Sequence, residues 1–64
     1  MVKGEVKFFN GTKNYGFIAP EGDGEDHFVH RSEVESGDLE KGDEVKFESV
    51  EGDKGKKAVN VRKV

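Results

Sequence analysis

Apolar and polar residues alternate with a period of two in several short stretches, the pattern of strands with one face buried. Five segments carry this alternation or are rich in β-branched and aromatic residues: VKGEVKFFN, NYGFIAP, DHFVHR, DEVKFESVE and KKAVNVRKV. Between them fall Asn10-Gly11, EGDG, the stretch from Ser32 to Gly42, and GDKG, which is turn chemistry. Short strands at this spacing predict an all-β barrel or sandwich. Only the Ser32–Gly42 stretch admits a helix. Ser32 and Glu35 have the spacing of a capping box, but two turns do not stand alone, so a turn of 3₁₀ helix or a loop is expected there. Pro20 should end the second strand or lie at its edge.

Parity then assigns faces. Tyr15 and Phe17 share one side, with Gly16 and Ile18 on the other; Phe28 and His30 share one side, with His27 and Val29 on the other. Val6, Ile18, Val29, Val45, Phe47, Val59 and Val61 make a core without Tyr15, Phe17 or Phe28. On that reading three rings face outward beside a histidine, and Phe8 joins them if the first strand bends at a bulge. The opposite assignment buries the rings and exposes Ile18 and Val29. Rings in small β domains commonly are core, and periodicity alone is reversible. His27 falls on the core parity, and a partly exposed place near a barrel end is expected for it.

Composition narrows the picture. The chain has 64 residues, room for one domain; 31% are hydrophobic and 39% charged, so the core must be thin. It lacks cysteine, which excludes disulfides and thiolate metal sites. It carries neither an apolar run long enough for a membrane span nor a signal-peptide core. A soluble, cytoplasmic, unprocessed chain is expected. The net charge of −3 argues against a uniformly basic nucleic-acid binder. The charge is uneven, however. Lys3, Lys7 and Lys13 lie near the start and Lys54, Lys56, Lys57, Arg62 and Lys63 near the end, with acids gathered between. Bringing the ends together would give one basic and one acidic side.

The segment Lys13-Asn14-Tyr15-Gly16-Phe17-Ile18 approximates the RNP1 pattern of basic residue, glycine, aromatic, glycine, aromatic and aliphatic. Asn14 replaces the first glycine, and asparagine tolerates positive φ well. Gly16 is expected to leave room between the rings for a base. Phe28-Val29-His30 supplies a second aromatic pair. Flat rings stack any base, and lysines at the rim hold phosphates. The two helices of an RRM have no room in this chain, which leaves a small five-stranded barrel of the OB class.

The order EVKFFN, KNYGFI, DHFVH, a polar loop and DEVKFESVEGDKGKKAVNV resembles the bacterial-type cold-shock domain over residues 2 to 63. The resemblance implies one cold-shock domain over residues 1–64, folded as a five-stranded antiparallel OB-fold barrel. It implies binding of single-stranded RNA and DNA, and an RNA chaperone role in which bound strands cannot refold. Carried over residue by residue, it marks Lys7 and Phe8 on the first strand, Asn10, Lys13, Tyr15 and Phe17 on the RNP1 strand and its approach, Phe28 and His30 on the RNP2-like strand, and Lys54 in the last hairpin loop. Phe8 stands where the family usually has tryptophan. Arg31 stands where bacterial members commonly have another aromatic; its guanidinium can stack on a base or reach a phosphate, or instead pair with Glu33 at the surface. The Ser32–Gly42 loop is shorter than theirs and lacks an aromatic they often carry.

Other constellations are weaker. His27 and His30 lie three apart on a strand, hence on opposite faces, and cannot chelate one metal. Gly11 to Gly16 has P-loop glycine spacing without its lysine and Ser/Thr. EGDGED reads as a turn with solvated charge and not a calcium loop. Catalytic residues, metal, cofactor, membrane and small-molecule substrate are not expected, and a monomer is. The second reading is a protein-interaction module that offers its acidic surface to a basic partner.

Overall fold

The structure is a computed structural model that describes residues 1–64 apart from Asp23, Ser36, Gly37 and Lys54. Its strands are β1 (Val2–Asn10), β2 (Tyr15–Pro20), β3 (His27–His30), β4 (Glu44–Gly52) and β5 (Gly55–Lys63), with a 3₁₀ turn at Arg31–Glu33. They close into a barrel in the order β1-β2-β3-β5-β4, with β4 paired back onto β1. The pairings are antiparallel except β3 with β5, which run parallel through Phe28 opposite Lys57 and Val29 opposite Ala58. The expected purely antiparallel barrel is therefore a mixed one. The polar crossover from β3 to β4 puts β5 beside β3 in the same direction.

The core forms on the parity that leaves the rings outside. Val6, Ile18, Val29, Val45, Phe47 and Val61 are fully buried, as the alternation predicts. Val59 is not among them; Ala58 takes its place and Val59 is half-buried. The cause is a bulge. Lys46 pairs with Arg62 but Glu48 pairs with Val59, so Asn60 and Val61 together oppose Phe47. Asn60 takes a φ of 52°, which non-glycine residues other than Asn and Asp rarely adopt. Its side chain donates to a Glu48 carboxylate oxygen at 2.7 Å. The extra residue lets Ala58 and Val61, three apart, both point inward.

The loop after β3 supplies two core residues that alternation does not mark, Val34 and Leu39. Val34 bridges to Val61. His30 caps the 3₁₀ turn, its Nδ1 accepting the Ser32 N–H, so the Ser32–Glu35 capping box does not form. Glu35 instead pairs with Arg62 at 3.3 Å. His27 is buried, 4% exposed, rather than partly exposed. Both ring nitrogens are satisfied, which is what allows a polar ring inside. Nδ1–H donates to the Glu25 carbonyl at 2.9 Å, and Nε2 accepts the Ser49 hydroxyl at 2.7 Å. The ring packs on Phe47 with centroids 5.0 Å apart.

Candidate nucleic-acid interface

The interface begins at a second bulge. Val6 pairs with Ile18 and Phe8 pairs with Phe17, which leaves Lys7 as an extra residue of β1. Without it, Val6 and Phe8 would share a face. With it, Val6 points into the core and Phe8 points out, 42% exposed. The bulge sits where β1 also meets the turn before β4: Val6 N–H donates to Asp43 O at 2.9 Å, and Gly42 N–H donates to Val6 O at 2.8 Å.

Register then gathers the rings. Phe8 lies opposite Phe17, and Phe17 opposite Phe28. Asn10 lies opposite Tyr15, and Tyr15 opposite His30. Paired residues share a face, so two rows cross three strands on the outside of the barrel. Phe8 and Phe17 have centroids 5.4 Å apart, Phe17 and Phe28 5.8 Å, and Tyr15 and Phe28 5.7 Å with near-parallel planes. Tyr15 meets Phe8 at 6.1 Å and Phe17 at 6.3 Å, both edge-on. Tyr15, Phe17 and Phe28 are half-buried by one another, with one face of the layer open.

Gly16 has a different role from the one expected. It is buried, on the inward side of β2, so it opens no slot among the outward rings. A Cβ there would run into the Phe8 carbonyl oxygen and would lie 2.8 Å from Phe9 Cα. The glycine lets β1 cross tightly over β2 at the bulge that turns Phe8 outward. Asn14 has a φ of 61°, as its place in the RNP1-like segment predicts.

The polar residues ring this surface. Asn10 Oδ1 accepts the N–H groups of Thr12 at 3.0 Å and Lys13 at 3.1 Å, closing the loop that carries the exposed Lys13. Lys7 Nζ lies 3.6 Å from Asp26 Oδ2. His30 is exposed; with Nδ1 occupied by Ser32, its Nε2 side is turned to solvent. Arg31 is exposed just beyond, its N–H donating to Asn14 O at 2.9 Å. Lys54 lies outside the described residues. One cation beside the rings escaped sequence reasoning: exposed Lys57, opposite Phe28. Its place depends on the parallel β3–β5 pairing, which no local pattern announces. The C-terminal cations do not form a separate basic side. Lys56, Arg62 and Lys63 pair with Glu51, Glu35 and Asp43 at 3.2–3.3 Å. Among the described residues there is no cluster of His, Cys, Asp and Glu able to hold a metal, and no helix long and apolar enough to cross a membrane.

A closed five-stranded barrel with an aromatic layer on the outside of three strands defines a small nucleic-acid-binding barrel of the OB class. The model of the 'Cold-shock' DNA-binding domain matches residues 2–64, and the chain belongs to that family. It is 54% identical to the cold shock-like protein CspD of Bacillus cereus, over 98% of each chain. It is 52% identical to the cold shock protein CspD of Bacillus subtilis and 46% identical to the major cold shock protein of Micrococcus luteus, in both cases over the full length of both chains. The fold is also similar to a solved structure of drosophila Unr CSD456, with a TM-score of 0.79 at 20% identity. That match covers 98% of this chain and 26% of the other, so this chain spans about a quarter of that one.

Proposed function

We propose that this protein binds single-stranded RNA and DNA by stacking bases on Phe8, Tyr15, Phe17 and Phe28, and acts as an RNA chaperone. The observation that carries the reading is the ring layer itself. Its rings lie 5.4–6.3 Å apart on the outside of a barrel whose core is complete without them. Stacking on such rings contributes roughly 1–3 kcal/mol per base and does not depend on base identity. Lys7, Lys13 and Arg31 hold phosphates along the rim, with Lys54 added by the family resemblance. Asn10 and His30 offer polar groups at the Tyr15 end. A strand held this way has its bases covered and cannot pair with itself, which is the physical content of a chaperone role. The reading needs no catalytic group and no cofactor. A closed barrel offers no open sheet edge for a second copy to extend, which supports action as a monomer.

Bases in a duplex present no free faces to the rings. In competition against a labelled oligothymidine, unlabelled single strands of RNA and DNA should displace the label at similar concentrations. Duplex of equal length should displace it far less well. Equal competition by duplex would sink the proposal.

A further inference from the structure

Beside the ring layer runs a groove of about 530 Å³, lined by Phe17 and Phe28, by Glu25 and Asp26 before β3, and by Asp53 and Lys57 of the β4–β5 hairpin. Pockets of roughly 300–1,000 Å³ hold small ligands, so one nucleobase fits with room for its sugar. Buried His27 braces this groove. One nitrogen holds the Glu25 carbonyl and the other holds Ser49 on β4, so a single ring ties the segment carrying Asp26 to the hairpin opposite. An aliphatic residue could fill the same volume but could tie neither.

The geometry points to this groove as a nucleobase site that selects guanine over uracil and thymine, with Asp26 as the reading residue. The inference rests on the proposal that bases stack on the ring surface, and it adds a base preference that stacking does not supply. Asp26 is two residues from Phe28 and lies on the same side of the chain. A base lying against Phe28 therefore turns an edge toward the carboxylate. An ionised carboxylate only accepts, and it takes two parallel N–H groups at once. Guanine presents N1–H and N2–H side by side, and its neighbouring O6 accepts. Lys7, 3.6 Å from Asp26 Oδ2, places a donor beside the two acceptors, in the order that edge requires. Uracil and thymine present one N–H between two carbonyls, so the second carboxylate oxygen faces a carbonyl oxygen. That repulsion is the discriminating element.

The test uses heptathymidine and the set of its variants with one guanine at each position in turn, competed against labelled heptathymidine. At least one guanine position should bind tighter than heptathymidine by about five-fold, a modest fraction of what a good bidentate pair supplies. An asparagine side chain offers one acceptor and one donor, which matches thymine as well as guanine. In Asp26→Asn the guanine-to-thymine ratio should therefore fall to one or below, with the fold checked by circular dichroism. If heptathymidine binds but no guanine position binds tighter, the groove does not read guanine, whatever the variant does, and the stacking proposal stands. If the preference exists but survives in Asp26→Asn, Asp26 is not the reader and the inference is overturned. If no oligonucleotide binds, the stacking proposal fails and this inference fails with it.

Discussion

From residue 15 to residue 18, ring, hydrogen, ring and aliphatic side chain alternate across the barrel wall. Ile18 is fully buried, while Tyr15 and Phe17 keep an outer face. The alternation was legible in the sequence, but its direction was not, because either parity buries a plausible set. What decides it is the rest of the core: Val45, Phe47 and Val61 already fill the barrel, leaving no space for three more rings. The role of Gly16 was not legible, since it answers to β1 crossing behind it. The two faces predict opposite mutational outcomes. Phe17→Ala and Phe28→Ala should each weaken single-strand binding by roughly 1–3 kcal/mol and leave the protein folded. Val29→Ala opens a cavity in a fully buried site and should cost about 1–3 kcal/mol of stability. Urea melts and binding isotherms on the three variants check this. Unfolding by Phe17→Ala with little effect from Val29→Ala would contradict the placement.

At the scale of elements, the five strands were legible to within a residue or so at their ends, because period-two patterning and turn residues agree there. The two bulges were less so. The one at Lys7 was foreshadowed by the need to turn Phe8 outward; the one at Asn60 hides in an unbroken alternation and moves the core from Val59 to Ala58. Local pattern also could not reveal that Val34 and Leu39 reach back into the barrel. The turn before β4 braces the first bulge and carries its own pH dependence. Glu40 N–H donates to Asp43 Oδ2 at 2.9 Å, and Lys63 stands 3.3 Å from the same oxygen. The backbone hydrogen bond foremost, then Lys63, holds the Asp43 carboxyl below its usual range against a smaller opposing effect of desolvation. A depressed carboxyl contributes stability above the unfolded value, and that contribution is lost as pH falls through the folded one. Asp43→Asn should therefore be less stable than wild type at neutral pH. The gap should close well below the ordinary carboxylate pKa of about 4, as read from urea midpoints at neutral and acid pH. A gap independent of pH would assign the turn's stability to shape alone.

Over the whole molecule, charge matters by where it is spent. Much of the basic C-terminal stretch is tied into surface ion pairs, while Lys13 and Lys57 stand exposed near the rings. A chain of net charge −3 can thus keep cations at one surface without a basic half. Barrel class was legible from strand number and chain length, but the parallel β3–β5 closure was not, and with it the place of Lys57 beside Phe28 stayed hidden. The central claim is that bases stack on the outer rings, and the composition supplies its own reporter. Tyr15 is the one tyrosine in a chain without tryptophan, and it sits inside the ring layer. Titration with heptathymidine, followed by intrinsic fluorescence, should quench Tyr15 emission saturably, with the quenching lost to excess unlabelled single strand in Phe28→Ala before wild type. Saturable binding of the oligonucleotide by an independent method, with Tyr15 emission unchanged, would contradict the account.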